Sequence, residues 1–356
     1  MKTNHNHFIN LAFNIARINL GKTKKNPSVG CVVVKDNSVI SSGVTSVGGR
    51  PHAEFNAVKG KKDISGADFY ITMEPCTHYG LTPPCTNLIE KTKFNRVYFS
   101  FYDEDIRTTK KARNILIKKD IKVIRKKTKL FNDFYNSYFL SKKKSLPQID
   151  AKIAFSKDYY SISKKSRWIT NAQSRKRVHL IRSQYDGILS TSKSVNKDNA
   201  LLNCRILGLN NTKPDLIIVD VKLKIKLNLK IFNKRNKRKI IIITSIKKGK
   251  KISLLRKRGV KFLLISEKNY PMDLSNLFKQ LNNLGYCRIL VESGLVFLNE
   301  LLKKNIISNL YLFKSSTNLG KYGKNNASCK LVKRLKLSNK INVNLGNDNL
   351  YKLKIK

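Results

Sequence analysis

The hydrophobic positions in the first part of the chain follow two different periods. From Ile9 to Leu20 apolar residues recur at helical spacing, whereas other segments are short β-branched or aromatic runs bounded by turn residues. Two of these runs flank Asp36 and Asn37 and therefore predict a β-hairpin. The predicted strands are Cys31–Lys35, Val39–Val44, Asp68–Met73, Arg96–Phe101 and Ile121–Ile124, and the predicted helices are Ile9–Leu20, Ala53–Lys59, Cys85–Lys91 and Lys110–Lys118. This alternation predicts an α/β layer structure with a parallel or mixed sheet.

A second alternation follows Ser141–Pro147, a lysine-rich stretch that ends in proline and is the best candidate for a domain boundary. Its predicted strands are Gln148–Phe155, Gly187–Ser190, Leu216–Asp220, Ile240–Thr244, Lys261–Ile265, Arg288–Glu292, Leu310–Lys314 and the last residues of the chain, and its predicted helices are Asn171–Gln184, Leu274–Leu284 and Val296–Lys303. The 356 residues are therefore predicted to form two α/β domains, residues 1–145 and residues 146–356.

The composition and the N-terminal residues indicate where in the cell the protein is found. Hydrophobic residues make up 41% of the chain, which is enough for ordinary buried cores, and no apolar run approaches the length of a membrane span. The N-terminal residues lack the long apolar stretch and cleavage site of a signal peptide, so we expect a cytoplasmic protein with no membrane partner. Six cysteines are too sparse for a disulfide framework and favour metal binding or burial.

The formal net charge of +51 raises the question of a nucleic-acid partner. Nucleic-acid binders gather basic residues into a patch or stripe, whereas here lysine is scattered, with short clusters such as Lys142–Lys144 and Lys234–Lys239. Lys, Asn and Ile, which AT-rich codons specify, are all abundant, so we hypothesise compositional drift in an AT-rich genome. We therefore expect no nucleic-acid partner, although the charge would attract phosphate-bearing substrates.

Three short motifs carry candidate metal ligands. They are Pro51-His52-Ala53-Glu54, Glu74-Pro75-Cys76 and Thr82-Pro83-Pro84-Cys85. One His and two Cys form a three-ligand set that suits Zn²⁺ and leaves the fourth tetrahedral position for water. Each Cys follows a proline, which is favoured in the first turn of a helix, and a thiol near a helix N-terminus ionises more readily. His52, Cys76 and Cys85 are therefore predicted to bind zinc.

Glu54 is the predicted catalytic residue. Residues two apart do not share a face of a regular helix, so His52 and Glu54 can converge on one site only around a helix entry, which Pro51 favours. Zinc lowers the pKa of a bound water to about 7, and a carboxylate beside that water can pass its proton to a ring nitrogen and a departing amine. The alternative, a structural zinc with a fourth protein ligand, leaves the order His-x-Glu unexplained.

The motifs resemble those of the zinc nucleoside and nucleobase deaminases, whose pattern is His-x-Glu followed by Pro-Cys-x-x-Cys. Eight residues separate Cys76 from Cys85 and end in Thr-Pro-Pro, which looks like the riboflavin-pathway deaminase rather than cytidine or tRNA-adenosine deaminases. The segment Asn26–Val33 points to the same family. The resemblance implies a cytidine-deaminase-like α/β/α layer fold for the N-terminal domain, with one zinc ion per chain.

The second half resembles the reductase domain of the bifunctional enzymes of the same pathway. The matching segments are Lys152–Asp158, Ser166–Thr170, Arg182, Ser194–Arg205, Asp220 and Val291–Gly294. Enzymes of that family deaminate a diaminopyrimidinone ribosylamino phosphate and then reduce the ribosyl group to ribityl with NADPH. The resemblance therefore implies a C-terminal α/β domain similar to dihydrofolate reductase, with hydrolase and oxidoreductase activities in one chain and a small phosphorylated pyrimidine as substrate.

The resemblance also assigns individual contacts. Those to the substrate are Asn26, His78, Ser166, Arg182, Leu202, Arg205 and Glu292, and those to NADPH are Ala154, Trp168, Ser194, Asp198, Gly294, Leu295, Val296 and Phe297. Arg182 and Arg205 suit a phosphate because guanidinium groups bind phosphate oxygens in a bidentate manner. The usual Gly-x-Gly-x-x-Gly fingerprint is absent, but the helix predicted after Gly294 offers backbone N–H groups to a phosphate.

Other interpretations stay open for several of these residues. They are a turn residue before proline for Asn26, an exposed loop histidine for His78, a core residue for Trp168 and a plain connecting turn for Ser293 and Gly294. Leu81 departs from the family pattern because it replaces a basic residue in the loop between the two cysteines. Cys31 is expected to be a buried strand residue, and ordinary surface positions are expected for His5, His7 and His179.

Three other functions fit parts of the sequence. A deaminase whose second half is only a scaffold predicts decay of the reductase contacts, but Arg182, Arg205 and Glu292 are present. A basic RNA-binding protein predicts clustered charge, aromatic platforms and a damaged metal set. An RNA-editing deaminase does not fit the spacing between the cysteines. The sequence leaves a homo-oligomer open.

Overall fold

The structure, a computed structural model, describes residues 4–61, 63–209, 214–233, 238–266, 273–327, 335, 337 and 339–356. Cys329 and positions 234–237 of the basic cluster Lys234–Lys239 lie outside the described residues. The chain divides into two structural units: Met1–Pro147 with Asn282–Cys287, and Gln148–Leu281 with Arg288–Lys356. Each unit carries its own β-sheet and its own hydrophobic core.

The first unit alternates helices and strands. Its elements are α1 (His5–Ala16), β1 (Gly30–Lys35), β2 (Ser38–Val44), α2 (Ala53–Val58), β3 (Asp68–Met73), α3 (Cys85–Thr92), β4 (Arg96–Phe101), α4 (Ala112–Ile117), β5 (Lys122–Arg125) and α5 (Asn136–Lys144). The strand order is β2-β1-β3-β4-β5, with β1 antiparallel to both neighbours and β3, β4 and β5 parallel. The predicted α/β layer with a mixed sheet is confirmed.

The β1–β2 hairpin positions the helix that carries Glu54. Asp36 and Asn37 have φ angles of 49° and 59°, the left-handed conformation that two-residue hairpin turns of this kind require. Helix α2 lies so close to β2 that a Cβ on Gly43 would be 2.3 Å from the Ala53 carbonyl oxygen. Glycine is therefore the residue that permits this approach of helix to strand.

The centre of the first sheet is buried on both faces. Every residue of β3 is buried, as are the middle four residues of β4. The core around them is largely aromatic and includes Phe13, Phe69, Tyr70, Tyr98, Phe99 and Tyr135. Short continuous apolar runs are typical of such strands, and the sequence predicts β3 and β4 with the bounds that the structure has.

The second unit has a larger sheet. Its elements are β6 (Gln148–Phe155), β7 (Tyr160–Ser163), α6 (Ala172–Arg182), β8 (Gly187–Thr191), α7 (Ser192–Asp198), β9 (Asp215–Val219), β10 (Ile240–Thr244), α8 (Lys250–Lys257), β11 (Val260–Leu264), α9 (Leu274–Asn283), β12 (Arg288–Val291), α10 (Leu295–Lys303), β13 (Asn309–Lys314), β14 (Gly323–Asn326) and β15 (Asn349–Lys354). The main sheet has the order β11-β10-β9-β8-β12-β6-β13-β15, and β7 pairs with β14. Among the residues that the structure describes, the strands of this main sheet pair in parallel except for β13 and β15, which are antiparallel.

The parallel strands β8, β12 and β6 are neighbours at the centre of this sheet, so their carboxyl ends lie at one edge. Open α/β sheets bind ligands outside the carboxyl ends of their strands. Ser194 follows β8, Glu292 follows β12, and Ala154 lies near the end of β6. The topology therefore gathers residues that the sequence resemblance assigned to substrate and cofactor.

Several elements differ from the sequence predictions. Helix α5 was not predicted, and its last residues, Ser141–Lys144, form the first part of the predicted boundary segment Ser141–Pro147. Helix α1 begins at His5, earlier than predicted, and ends at Ala16, after which Arg17–Asn19 form a 3₁₀ turn. Helices α7 and α8 and the small β7–β14 sheet were not predicted. The β7–β14 pairing joins segments far apart in sequence, which no local pattern reveals.

Candidate functional site

The metal motifs converge at the ends of elements of the first unit. His52 immediately precedes α2, Cys85 is the first residue of α3, and Cys76 lies in the loop after β3. His52 Nδ1 is 3.4 Å from Cys85 Sγ and 3.7 Å from Cys76 Sγ. The three ligand atoms all lie within 4.8 Å of one another. The structure therefore brings the three predicted ligands together.

These separations suit a tetrahedral zinc ion. Zn–S distances of about 2.3 Å and Zn–N distances of about 2.0 Å place neighbouring ligand atoms about 3.5 Å apart. Within the part of the chain that the structure describes, the set contains no fourth His, Cys, Asp or Glu ligand. Three protein ligands leave one position for water or substrate, as in a catalytic rather than a structural zinc site.

The N-terminus of α3 supports both sulfur atoms. The expectation that each cysteine lies at a helix N-terminus was correct for Cys85 but wrong for Cys76, which lies in the loop between β3 and α3. The backbone N–H of Cys85 nevertheless donates a hydrogen bond to Cys76 Sγ at 3.2 Å. The first N–H group of the helix thereby stabilises a thiolate at Cys76.

Hydrogen bonds and burial set the protonation of this cluster. The hydrogen bond with Cys85, assisted by His52, lowers the pKa of the Cys76 thiol to about 4. The hydrogen bond with Cys76 and burial raise the pKa of the Cys85 thiol well above its ordinary value. The hydrogen bond with Cys76 also raises the pKa of His52. Because a metal requires deprotonated ligands, its binding would release the proton of Cys85.

Glu54 lies in the first turn of α2 and is buried, with 4% of its surface exposed. Burial raises the pKa of its carboxyl, while the neighbouring His52 opposes the rise. The neighbouring Cys85 also opposes the rise in this pKa. The helix entry thus places His52 and Glu54 at one site, and a carboxyl with a raised pKa is suited to accept and return a proton near neutral pH.

Two predicted substrate contacts lie in loops that border the cluster. The Asn26 side chain donates a hydrogen bond to the Gly49 carbonyl at 3.0 Å, which ties it to the segment before His52. His78 lies in the loop between the cysteines, and its Nδ1 is 3.1 Å from the Thr108 hydroxyl. Both residues are therefore near the predicted site while bonded to protein groups.

Glu74 is a supporting residue that the sequence analysis missed. Its carboxylate accepts hydrogen bonds from the backbone N–H groups of Asp103 at 3.3 Å, Lys110 at 3.0 Å and Ala112 at 3.1 Å. In the same segment, the Thr108 hydroxyl contacts the loop between the cysteines. Glu74 therefore fixes the segment on which that loop rests. The available signal was an acidic residue directly after a fully buried strand.

Arg182 and Glu292 form a buried ion pair at the carboxyl edge of the second sheet. Arg182 Nε and Nη2 donate to the two carboxylate oxygens at 2.5 and 2.9 Å, and Lys152 Nζ lies 3.8 Å from the same carboxylate. Burial by itself raises the pKa of Glu292, but Arg182 outweighs it and lowers that pKa below the ordinary value. Burial lowers the pKa of Lys152. Two predicted substrate contacts thus bind each other, next to a lysine that had no predicted role.

Asn203, also missed from the sequence, connects the basic residues of this site. Its carbonyl accepts a hydrogen bond from Arg182 Nη1 at 3.1 Å and lies 2.8 Å from His179 Nδ1. Its side-chain oxygen accepts from Arg205 Nη1 at 2.6 Å. The preceding Leu202 has a left-handed backbone, φ 49°, which is unusual for leucine. The structure therefore gathers Arg182, Leu202 and Arg205 around one turn.

The predicted cofactor contacts meet at the start of α10. Gly294 is the N-cap of this helix, and its N–H donates a hydrogen bond to Ser194 Oγ at 3.2 Å. Leu295–Phe297 form the first turn of α10, and Ala154 is half-buried in β6. Unpaired N–H groups at a helix N-terminus bind phosphate, so this arrangement suits a phosphorylated cofactor.

The remaining predicted contacts lie near Arg167. Its Nη2 donates to the Asp198 carbonyl at 2.8 Å, and the Ser166 hydroxyl donates to the Trp168 carbonyl at 3.0 Å. The guanidinium groups of Arg167 and Arg175 lie 5.0 and 4.9 Å from the Trp168 ring centre. Because Trp168 is 52% exposed, its interpretation as a core residue is wrong.

Two of the three histidines expected at the surface take part in internal contacts. His5 Nδ1 lies 2.8 Å from the Tyr70 hydroxyl. His179 packs against the arginine site, where burial and the neighbouring arginines lower its pKa to about 4. The surface expectation was therefore wrong for these two and correct for His7, which is exposed. Cys31 is fully buried in β1, as expected.

Two family models match the chain. The model described as the RibD C-terminal domain matches residues 149–351. The model described as the cytidine and deoxycytidylate deaminase zinc-binding region matches residues 2–101. The second match contains the zinc cluster with Glu54, and the first contains the Arg182–Glu292 pair and the start of α10.

Curated relatives and solved structures show the same similarity. The riboflavin biosynthesis protein RibD of Aquifex aeolicus is 30% identical over 317 residues, covering 86% of this chain and 85% of that protein. RibD of Buchnera aphidicola is 30% identical over 330 residues, covering 89% and 88%. A structure of Acinetobacter baumannii RibD is 26% identical with a TM-score of 0.82 and covers 98% of both chains. The similarity therefore extends over both units.

Proposed function

Since the chain belongs to the RibD family of riboflavin biosynthesis proteins, we propose that its two units perform successive reactions on one phosphorylated pyrimidine. The first unit releases ammonia from a diaminopyrimidinone ribosylamino phosphate. The second reduces the ribosyl group of the deaminated product to ribityl with NADPH. Family membership confirms the bifunctional deaminase and reductase activity predicted from the sequence, with zinc and NADPH as cofactors.

In the deaminase half, His52, Cys76 and Cys85 would hold the zinc ion. One imidazole and two thiolates are a donor set that zinc prefers, and Cys76, with a pKa of about 4, is deprotonated at neutral pH. When bound, zinc supplies a Lewis acid that lowers the pKa of a water to about 7. These three residues would therefore hold the ion, and their number would leave room for a water or the substrate.

Glu54 moves the protons of the deamination. Water adds its oxygen to the ring carbon that bears the amine, and the Glu54 carboxylate takes the proton that is released. The same carboxyl gives this proton to the ring nitrogen. It then takes the second proton from the newly formed hydroxyl group and gives it to the amine, which leaves as ammonia while the ring carbon keeps the oxygen as a carbonyl. Asn26 and His78, in the loops beside the site, would contact the substrate.

In the reductase half, the deaminated product would contact Ser166, Arg182, Leu202, Arg205 and Glu292. Glu292 already neutralises Arg182, whereas no carboxylate pairs with Arg205 among the described residues. Arg205 is therefore the stronger candidate for the substrate phosphate. NADPH, which supplies the hydride to C1′ of the opened sugar, would contact Ala154, Trp168, Ser194, Asp198 and Gly294–Phe297.

The observation that carries the deaminase assignment is the meeting of three zinc ligands with the buried Glu54. In zinc-loaded protein, we expect Glu54→Gln to lower ammonia release about 100-fold or more, because general acid–base catalysis contributes that much. Metal analysis should find zinc retained. The control is Glu90→Gln, which removes an exposed ion pair with Lys119 in the same unit. A Glu54→Gln enzyme that releases ammonia as fast as this control would contradict the assignment.

We propose that the protein works in the cytoplasm without a nucleic-acid partner, because its lysines are scattered and its predicted substrate is small. In the described residues, no helix combines the length and apolar character that a membrane span needs. A homo-oligomer would appear in light scattering as a multiple of the 40.8 kDa chain mass.

A further inference from the structure

Arg50 links the segment that carries His52 to the loop between the two cysteines. Its Nη1 donates a hydrogen bond to the Thr82 hydroxyl at 2.7 Å. Its Nη2 lies 3.3 Å from the position that a Cβ on Gly80 would occupy. The guanidinium group therefore lies against this loop at the residues on either side of Leu81.

The charge of Arg50 is not neutralised by an acidic partner among the described residues. Its hydrogen-bond partner, Thr82, offers only a neutral hydroxyl. Arg107, whose carbonyl contacts the same loop, is different, because Asp105 binds its guanidinium at 2.6 and 2.8 Å. Arg50 thus presents an uncompensated positive charge at the loop between two zinc ligands.

Arg50 is also close to the zinc cluster. Arg50 precedes the predicted zinc ligand His52 by two residues, and its hydrogen-bond partner Thr82 precedes Cys85 by three. The guanidinium group therefore joins two segments that each carry a predicted zinc ligand. The loop itself, residues 77–84, contains no Lys or Arg, and Leu81 is 88% exposed at the position where a basic residue was expected. Arg50 therefore supplies the positive charge that the loop lacks.

We propose that Arg50 binds the phosphate of the deaminase substrate, an inference that rests on the proposed function. A guanidinium group presents five N–H donors in a planar fork that matches phosphate oxygens. The bond from Nη1 to Thr82 fixes the orientation of that fork, while Nε and Nη2 remain to donate to the phosphate. The first unit thus has its own phosphate-binding residue, separate from the arginines of the second unit.

The test compares ammonia release from the phosphorylated substrate and from its dephosphorylated counterpart. We expect Arg50→Ala to raise KM for the phosphorylated substrate about 10- to 100-fold, which corresponds to the loss of one hydrogen bond to a charged group. KM for the dephosphorylated compound should stay within about twofold of the wild-type value, because that compound lacks the group that Arg50 binds. Arg50→Lys, which keeps the charge but loses the fork, should recover part of the loss.

Two controls separate phosphate binding from folding and from the overall charge. Arg113→Ala removes one positive charge from an exposed position of α4 in the same unit and should leave both KM values unchanged. Zinc content and NADPH oxidation by the second unit should be normal in every variant compared. Arg50→Gln, which can still donate to Thr82, replaces Arg50→Ala if the alanine variant loses zinc.

The outcomes are distinct. An equal loss on both compounds would mean that Arg50 only holds the loop, and would overturn the proposal. A wild-type enzyme that binds both compounds equally well would also overturn it, while leaving the deaminase function in place. A wild-type enzyme that releases ammonia from neither compound would overturn the proposed function itself, and the phosphate site with it.

Discussion

Arg182 and Glu292 are predicted substrate contacts, and their buried ion pair also contributes to the stability of the second unit. Both side chains are buried, and the pair satisfies both carboxylate oxygens. Taking two charges out of water costs several kcal/mol per ion, which is offset only when geometry and hydrogen bonds are good. Loss of either residue should therefore destabilise the folded unit, because removal of one partner leaves the charge of the other buried and unpaired.

We therefore expect Glu292→Gln to destabilise the second unit by about 3–5 kcal/mol. The matched change Glu300→Gln breaks an exposed pair with Lys303 and should cost less than about 0.5 kcal/mol. Trp168, the single tryptophan of the chain, lies in this unit, so its fluorescence in a urea titration reports the unfolding. Equal midpoints for the two variants would contradict the role of the pair.

The pH dependence of the same pair has a definite sign. Because the pKa of Glu292 is lowered in the folded state, its stabilisation is fully present above the pKa of the unfolded chain. It is lost as the pH falls through the lower, folded value, where the carboxylate takes up a proton. Wild-type protein should lose this contribution on acidification, whereas Glu292→Gln has none to lose.

Among individual residues, the sequence predicted those that belong to a short motif typical of one kind of chemistry. The His, Cys and Glu types and their spacing indicate zinc and proton transfer before any fold is known. Glu74 and Asn203 were missed because their hydrogen bonds join segments that only folding brings together. Glu74 accepts from backbone N–H groups, and the Asn203 carbonyl accepts from the Arg182 side chain. Arg50 was missed for the same reason, since its contact with Thr82 spans 32 residues.

Among the elements, helix α2 depends on a close approach to β2. Gly43 faces the backbone of α2 at Ala53 and Ala57, so a side chain there must push the helix away. The helix carries Glu54, and His52 immediately precedes it. A side chain at position 43 that moves the helix would therefore move the predicted zinc ligand His52 and the proton-transfer group Glu54 together.

We expect Gly43→Ala to destabilise the first unit by about 1–3 kcal/mol, the usual cost of overpacking. Zinc affinity and ammonia release should fall with it. Ser42→Ala, at the neighbouring exposed position of the same strand, is the control and should change neither. The measurements are zinc content after dialysis and the rate of ammonia release. Wild-type zinc content in Gly43→Ala would show that the helix position does not depend on this contact.

The elements also show what a local pattern can and cannot predict. Strands β3, β4, β6 and β10 have the bounds that the sequence predicts. For β3, β4 and β10 the signal is a short, largely apolar run, which marks a buried strand. Helices α5 and α7 are polar or rich in lysine and carry no such run. A signal for α7 was present, since the Thr191 side chain caps its first turn by accepting from the Ser194 N–H.

In the whole molecule, each structural unit contains the residues of one of the two proposed reactions. The zinc cluster with Glu54 lies entirely in the first unit, and the arginine site with the start of α10 lies entirely in the second. The alternation of strands and helices predicted two α/β halves, but the order of strands in the second sheet was not predictable from the pattern. That order depends on which parallel strands become neighbours, and the sequence of a single strand does not encode its partner.

The most direct test of two chemistries in one chain uses zinc chelation. Ammonia release from the diaminopyrimidinone phosphate and NADPH oxidation with the deaminated product are measured on one preparation, before and after a chelator. We predict that both activities are present, that chelation abolishes ammonia release while NADPH oxidation continues, and that added zinc restores the first. Folded, zinc-loaded protein that shows neither activity, or NADPH oxidation that disappears with the zinc, would contradict the account.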